Sequence, residues 1–157
     1  MHKAPYRNIT LLLSIFGVAL YCYFLISPVL LLPADPHFGR LTIGRPSIQI
    51  DGESWIPIYG LYLVMKIGLE NVLMLALVIF TTVVILFLSP FVAYFRKKII
   101  LISISLSVIV NLFGLGAAIT IFTPYFENMA ITSGFIAMLL LLAALFFRLR
   151  VLKTMGE

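Results

Sequence analysis

Four long apolar stretches constrain this chain more than any other feature. They cover residues 9–32, 69–95, 99–121 and 131–147. About 20 apolar residues in a helix are enough to cross a hydrocarbon core of ~30 Å. Because 62% of the residues are apolar and only 11% are charged, a soluble globular domain is excluded. The sequence predicts an all-α membrane protein, in which residues 1–157 form one up-down bundle of four transmembrane helices.

The basic residues cluster at three ends of the apolar stretches. Eight of the 11 Lys and Arg residues precede the first stretch, join the second to the third, or follow the fourth. The positive-inside rule therefore predicts a multi-pass protein of the cell (inner) membrane with both termini in the cytoplasm. The net charge of +5 reflects this topology, so we expect membrane lipids and no nucleic acid among its partners.

The first stretch begins like a signal peptide but is expected to remain as a helix. Its apolar run is too long for a typical signal-peptide core, and no A-x-A cleavage pattern follows it. Cys22 is the only cysteine and lies within this stretch. An intramolecular disulfide and a cysteine metal cluster are therefore excluded, and we expect no metal site.

Residues 33–68 form the one substantial segment outside the apolar stretches, and they are predicted to contain a small β-hairpin. Asp51-Gly52 between alternating runs is typical of a type I′ turn. This turn pairs Ile50 with Glu53, Gln49 with Ser54, and Ile48 with Trp55. Pro57 is expected to end the second strand because it has no backbone N–H. Residues 40–44 could add a third strand.

Candidate catalytic chemistry is sparse. The interiors of the four stretches contain no ionisable residue apart from Cys22 and the tyrosines, which argues against a pump or an ion-coupled transporter. The carboxylates and histidine of the outer segments have no recognisable motif spacing; these are Asp35, His37, Asp51, Glu53, Glu70 and Glu127. We therefore predict no catalytic residue, no cofactor and no enzyme activity.

Two groups of polar residues remain as candidate sites. The first is a partner or lipid contact at Trp55, Lys66, Glu70 and Asn71, although a carboxylate that complements the first turn of a helix explains Glu70 as well. The second follows one face of the third helix and comprises Ser103, Ser107, Asn111 and Gly114. Close helix packing explains that face, and a narrow polar pocket is the alternative.

Two further patterns concern the first and second helices. Thr10, Ser14 and Gly17 form a similar stripe of small residues on the first helix. Ser89-Pro90 should kink the second helix near its basic end, because proline removes a backbone hydrogen bond.

The order of these elements resembles one shortened copy of the membrane domain of paraquat-inducible protein A-like proteins. The residues that carry the resemblance are the exit of the first span at 28–33, the segment 68–77 with Thr81-Thr82 and Ser89-Pro90, and Gly116 to Pro124 with Gly134-Phe135. The resemblance implies an inner-membrane protein that moves lipids between membranes together with periplasmic MCE-domain proteins.

Two classes of function follow. The chain is either a non-catalytic protein of lipid handling or transfer with such a partner, or an accessory subunit that stabilises a larger membrane complex.

Overall fold

The fold consists of four long helices and a small sheet. The structure is a computed structural model that describes residues 3–33, 48–50, 53–61, 72–122 and 128–154. The helices are α1 (Lys3–Ile26), α2 (Val72–Leu88), α3 (Lys98–Phe122) and α4 (Asn128–Thr154). Within the described ranges, four helical segments are long and apolar enough to cross a membrane. The predicted four-transmembrane-helix architecture is confirmed, and the fold is that of a multi-pass membrane protein.

The first apolar stretch divides into a helix and a strand. α1 ends at Ile26, and Pro28–Pro33 form strand β1, although the apolar pattern predicted one span through residue 32. The Ser27 amide donates the last helical hydrogen bond to the Tyr23 carbonyl at 3.0 Å. Pro28 has no N–H to continue the helix and disfavours the α conformation at the preceding residue. The β-containing part of the chain therefore begins before residue 33.

The sheet has three antiparallel strands in the order β1-β3-β2, where β2 is Ile48–Ile50 and β3 is Glu53–Tyr59. The predicted hairpin register is confirmed, with Ile48 opposite Trp55 and Ile50 opposite Glu53. The turn residues Asp51-Gly52, and the segment 40–44 predicted as a possible third strand, lie outside the described residues.

The prediction that Pro57 ends its strand is wrong. β3 continues to Tyr59, and Pro57 lies opposite Leu31 of β1. Among the described residues, β2 pairs with β3 only as far as Trp55, and Pro57 is described in pairing with β1 alone. A proline is tolerated in a strand where its nitrogen does not have to donate to the ladder.

The interruption predicted at Ser89-Pro90 occurs as a change of helix type. α2 passes at Ser89 into a 3₁₀ helix, Ser89–Tyr94, with Pro90 in its first turn and an extended Phe95 after it. Ser89 is fully buried, and its hydroxyl has no hydrogen-bond partner among the described residues. A buried hydroxyl without a partner lowers stability. At this junction the described chain therefore lacks both a hydrogen bond to the Ser89 hydroxyl and regular α-helical geometry.

α1 packs most extensively against α4, α2 against α3, and the 3₁₀ helix against α1. The α1–α4 contact is close at Gly17, where an added Cβ would lie 2.9 Å from the Leu141 side chain and 3.3 Å from the Ala137 carbonyl oxygen. Small residues permit such approaches between helices in lipid. The small-residue stripe predicted on α1 is buried, since Thr10, Ser14 and Gly17 are all covered.

A Gly17→Ala change should therefore weaken the α1–α4 contact. We expect the free energy of unfolding to fall by about 1 kcal/mol, because the carbonyl of Ala137 cannot move as freely as the Leu141 side chain. Unfolding in mixed detergent micelles measures this change. The matched control is Gly116→Ala, where an added Cβ meets no atom within 4 Å. That change should be neutral or slightly stabilising because alanine is the better helix former. Equal stability of the two variants would contradict the prediction.

Candidate functional site

The structure describes part of the predicted site residues. Trp55 lies in β3 opposite Ile48, whereas Lys66, Glu70 and Asn71 lie outside the described residues. On α3, Ser107 and Asn111 are buried, Gly114 is half-buried and Ser103 is exposed. The predicted stripe therefore does not face the bundle along its whole length.

The exposure of Ser103 follows from helix geometry. Each step of four residues turns about 40° beyond one full turn, so Ser103 is displaced around the helix by about 80° from Asn111. Its hydroxyl donates to the Ile99 carbonyl of its own helix at 3.0 Å. Ser103 therefore makes a local hydrogen bond in place of an interhelical one.

A polar cluster lies where α1, α2 and α3 meet, and comprises Tyr21, Thr81, Thr82, Ser107 and Asn111. The Tyr21 hydroxyl donates to Asn111 Oδ1 at 2.8 Å and lies 3.4 Å from Thr82 Oγ1. The Asn111 amide donates to Thr81 Oγ1 at 3.1 Å and to the Ser107 carbonyl at 3.0 Å. Thr81 in turn donates to the Val78 carbonyl at 3.0 Å. Side chains of α1, α2 and α3 thus take part in one connected network, and α2 contributes two of them.

The directions of these hydrogen bonds follow from the number of protons that each group can donate. Because the Tyr21 proton is directed to Asn111, the Tyr21 oxygen is an acceptor toward Thr82, whose hydroxyl is then the donor. Both protons of the Asn111 amide are used. Cooperative chains of this kind strengthen each member. The cluster is therefore satisfied internally, which favours a role in helix packing over a polar path for a solute.

Burial supports the same role. Tyr21 is 0% and Asn111 is 8% exposed. In a bilayer, buried hydroxyl and amide groups that bond across helices stabilise a specific arrangement of those helices. The cluster selects one alignment of α1 against the α2–α3 pair, since a shift of either element would leave donors without acceptors.

Three members of the cluster were not among the predicted site residues. Tyr21 could have been found, because it extends the Thr10, Ser14, Gly17 stripe by four residues and so falls on the same helix face. Thr81 and Thr82 belong to the residues that carry the family resemblance, and no other sequence signal marks them. Their meeting with Asn111 depends on how α2 packs against α3, which local spacing does not specify.

The cluster is continuous with the sheet through Phe24. The Tyr21 and Phe24 rings are stacked with their centroids 6.0 Å apart. A Cβ added at Gly134 of α4 would lie 3.0 Å from the Phe24 ring, and the Phe24 carbonyl lies against Gly60, which directly follows β3. Val29 of β1 and Ile58 of β3 belong to the same buried apolar core as the helices. The sheet is therefore packed onto the bundle as one unit with the polar cluster.

These features define a four-helix, multi-pass membrane protein with a sheet fixed to one end of its bundle. Among the described residues, no three His, Cys, Asp or Glu side chains come together as a metal site would require. No family model, no curated protein and no solved structure matches the chain.

Proposed function

We propose that this chain is a non-catalytic inner-membrane protein that handles or transfers lipids together with a periplasmic partner of the MCE type, with both termini in the cytoplasm. The observation that carries the proposal is the sheet, which is fixed to the end of the bundle away from the three basic clusters. Under the positive-inside rule, the sheet would face the periplasm and present a preformed strand surface to a partner.

Two contacts make the sheet a preformed surface. The Gly60 amide donates to the Ser27 carbonyl at 3.1 Å, which joins the end of β3 to the end of α1. Val29 and Ile58 are 0% and 1% exposed, so each of these strands inserts a side chain into the core. A surface that is ordered before binding loses less conformational entropy when a partner docks.

The outer surface of the helices suits contact with lipid chains. Large apolar side chains on all four helices are exposed, including Phe16, Phe80, Phe113 and Phe146. No carboxylate lies within the described helices. Lipid chains can therefore cover these surfaces without removing water from an acidic group. A protein with this surface is suited to hold lipid beside the bundle while the partner acts at the sheet.

The test is affinity isolation from native membranes in a mild detergent, followed by mass spectrometry of co-purifying proteins and retained lipids. We expect a stoichiometric MCE-type partner or one selectively enriched lipid. A Trp55→Ala variant should recover at least fivefold less partner at unchanged accumulation, because large aromatic residues dominate binding at interfaces. Gly116→Ala is the matched control and should recover the wild-type amount. Isolation within an unrelated complex, without a selective lipid, would contradict the proposal.

The accessory-subunit alternative has one observation in its favour. Ser103 is exposed beside exposed Ile102 and Leu106 on α3, and a small polar residue on an outer helix face is typical of a helix–helix interface in lipid. If the chain serves as an accessory subunit, a Ser103→Phe change should abolish recovery of the larger complex while Trp55→Ala leaves it intact. The same isolation experiment therefore separates the two functions.

A further inference from the structure

The end of the bundle opposite the sheet carries a short turn that is fixed by a buried arginine. The turn, here called the basic turn, comprises Phe95, Arg96 and Lys97 between the 3₁₀ helix and α3, together with Lys98, the first residue of α3. Arg148 of α4 is only 8% exposed, and its Nε donates to the Phe95 carbonyl at 2.9 Å. The Ile100 amide donates to the Lys97 carbonyl at 3.2 Å and closes the turn from the other side. The turn is thus held by hydrogen bonds at both of its ends.

The three cations of the basic turn point outward. Arg96, Lys97 and Lys98 are all exposed, whereas Arg148 is buried behind them. A charged side chain at the level of the bilayer is costly to bury, so an arginine in that position is expected to have a specific task. Here Arg148 bonds the last carbonyl before three consecutive cations and so fixes the backbone that presents them.

The tyrosines place the basic turn at the level of the lipid headgroups. Tyrosine is enriched at membrane–water interfaces. Tyr94, directly before the turn, and Tyr6 of α1 are exposed at this end, and Tyr23 is exposed at the other. A rise of ~1.5 Å per residue puts Tyr23 about 25 Å from Tyr6 along α1, close to the ~30 Å thickness of a hydrocarbon core. This spacing supports a position of the basic turn at the border of the hydrocarbon.

The described chain supplies no anion for these cations. Glu53 of β3, at the opposite end, is the only Asp or Glu among the described residues. Clusters of exposed Lys and Arg beside a transmembrane helix attract anionic lipid headgroups. We propose that the basic turn is a preformed binding site for the phosphate of an anionic phospholipid, and that Arg148 is its positioning residue. This site differs from diffuse attraction because it is built on a fixed backbone.

The proposal is tested by counting the phosphatidylglycerol molecules retained by the full chain in native mass spectrometry, during titration of this lipid against phosphatidylcholine. The variant R96Q/K97Q/K98Q should bind phosphatidylglycerol at least tenfold more weakly. The matched control R7Q/R150Q/K153Q removes the same charge from the same end, from residues that are also exposed, and should change affinity by less than twofold. Equal loss in both variants would show diffuse attraction and overturn the proposal, as would the absence of any preference over phosphatidylcholine.

A second variant tests the positioning role. Arg148→Met keeps all three cations of the basic turn but removes the hydrogen bond to Phe95. We expect weaker phosphatidylglycerol retention and a lower sensitivity of retention to salt, because the cations no longer meet one phosphate together. Wild-type retention in a folded Arg148→Met protein would overturn the role of Arg148. If this variant does not fold, the comparison of the two triple variants still decides the site.

Discussion

Replacing Gly60 with alanine is expected to separate the sheet from the bundle and to lower the free energy of unfolding by about 3 kcal/mol or more. A Cβ at this position would clash with the Phe24 carbonyl oxygen, and would lie 2.8 Å from the Phe24 carbonyl carbon and 3.2 Å from Leu25 Cα. All three atoms belong to the backbone of α1. They cannot turn away as a side chain can, so the end of β3 has to move.

Trp55 makes this outcome directly measurable. It is the only tryptophan of the chain and lies in β3, so its fluorescence reports on the sheet. Gly60→Ala should change the Trp55 emission and lower the melting temperature in detergent, while Gly116→Ala leaves the emission at the wild-type value and does not lower the melting temperature. Wild-type emission and stability in Gly60→Ala would show that α1 and β3 are not in the close contact described.

Much of the fold could be predicted because its signals are local. Apolar runs of spanning length predicted the four helices, and Asp51-Gly52 predicted the hairpin register. The residue at which the first helix ends could not be predicted from apolarity. An apolar residue such as Val29 is equally suited to a buried helix and to a buried strand of a sheet. Pairing with β3 decides between the two at 28–33, and that pairing is not local in the sequence.

The polar cluster shows the same division. Asn111 was a candidate because it belongs to the small and polar stripe on one face of the third helix, and the spacing of that stripe is a local signal. Its interhelical partners come from two other helices, and Tyr21 precedes it by 90 residues in the sequence. Ser103 is the opposite case. Its regular spacing from Asn111 predicted that both residues face the bundle, but the helix turns between them, and Ser103 is exposed.

Asn111→Leu is expected to lower the free energy of unfolding by about 2 kcal/mol, although leucine has nearly the same size. The change removes the acceptor of Tyr21 and the donor to Thr81. Thr81 keeps its bond to the Val78 carbonyl and Tyr21 keeps its 3.4 Å contact with Thr82, so the cost comes from the two lost interhelical hydrogen bonds, which in bilayers contribute roughly 0.6 to 1.7 kcal/mol each. The helices should remain formed, since the backbone hydrogen bonds of each helix are untouched, but α1 should dissociate more readily from α2 and α3.

A double-mutant cycle with Tyr21→Phe isolates the interhelical hydrogen bond from the other effects of each change. Tyr21→Phe alone should cost about 1 kcal/mol, because Asn111 Oδ1 loses its donor. Once Asn111 is leucine, the same change should cost clearly less, since only the 3.4 Å contact with Thr82 remains to be lost, which gives a coupling energy of up to about 1 kcal/mol. Ser103→Ala is the control, since its hydroxyl is exposed and bonds its own helix, and it should stay within ~0.5 kcal/mol of wild type. Additive effects of the two cluster changes would mean that the Tyr21–Asn111 contact does not hold α1 to α3, and the alignment of the bundle would then depend on apolar packing alone.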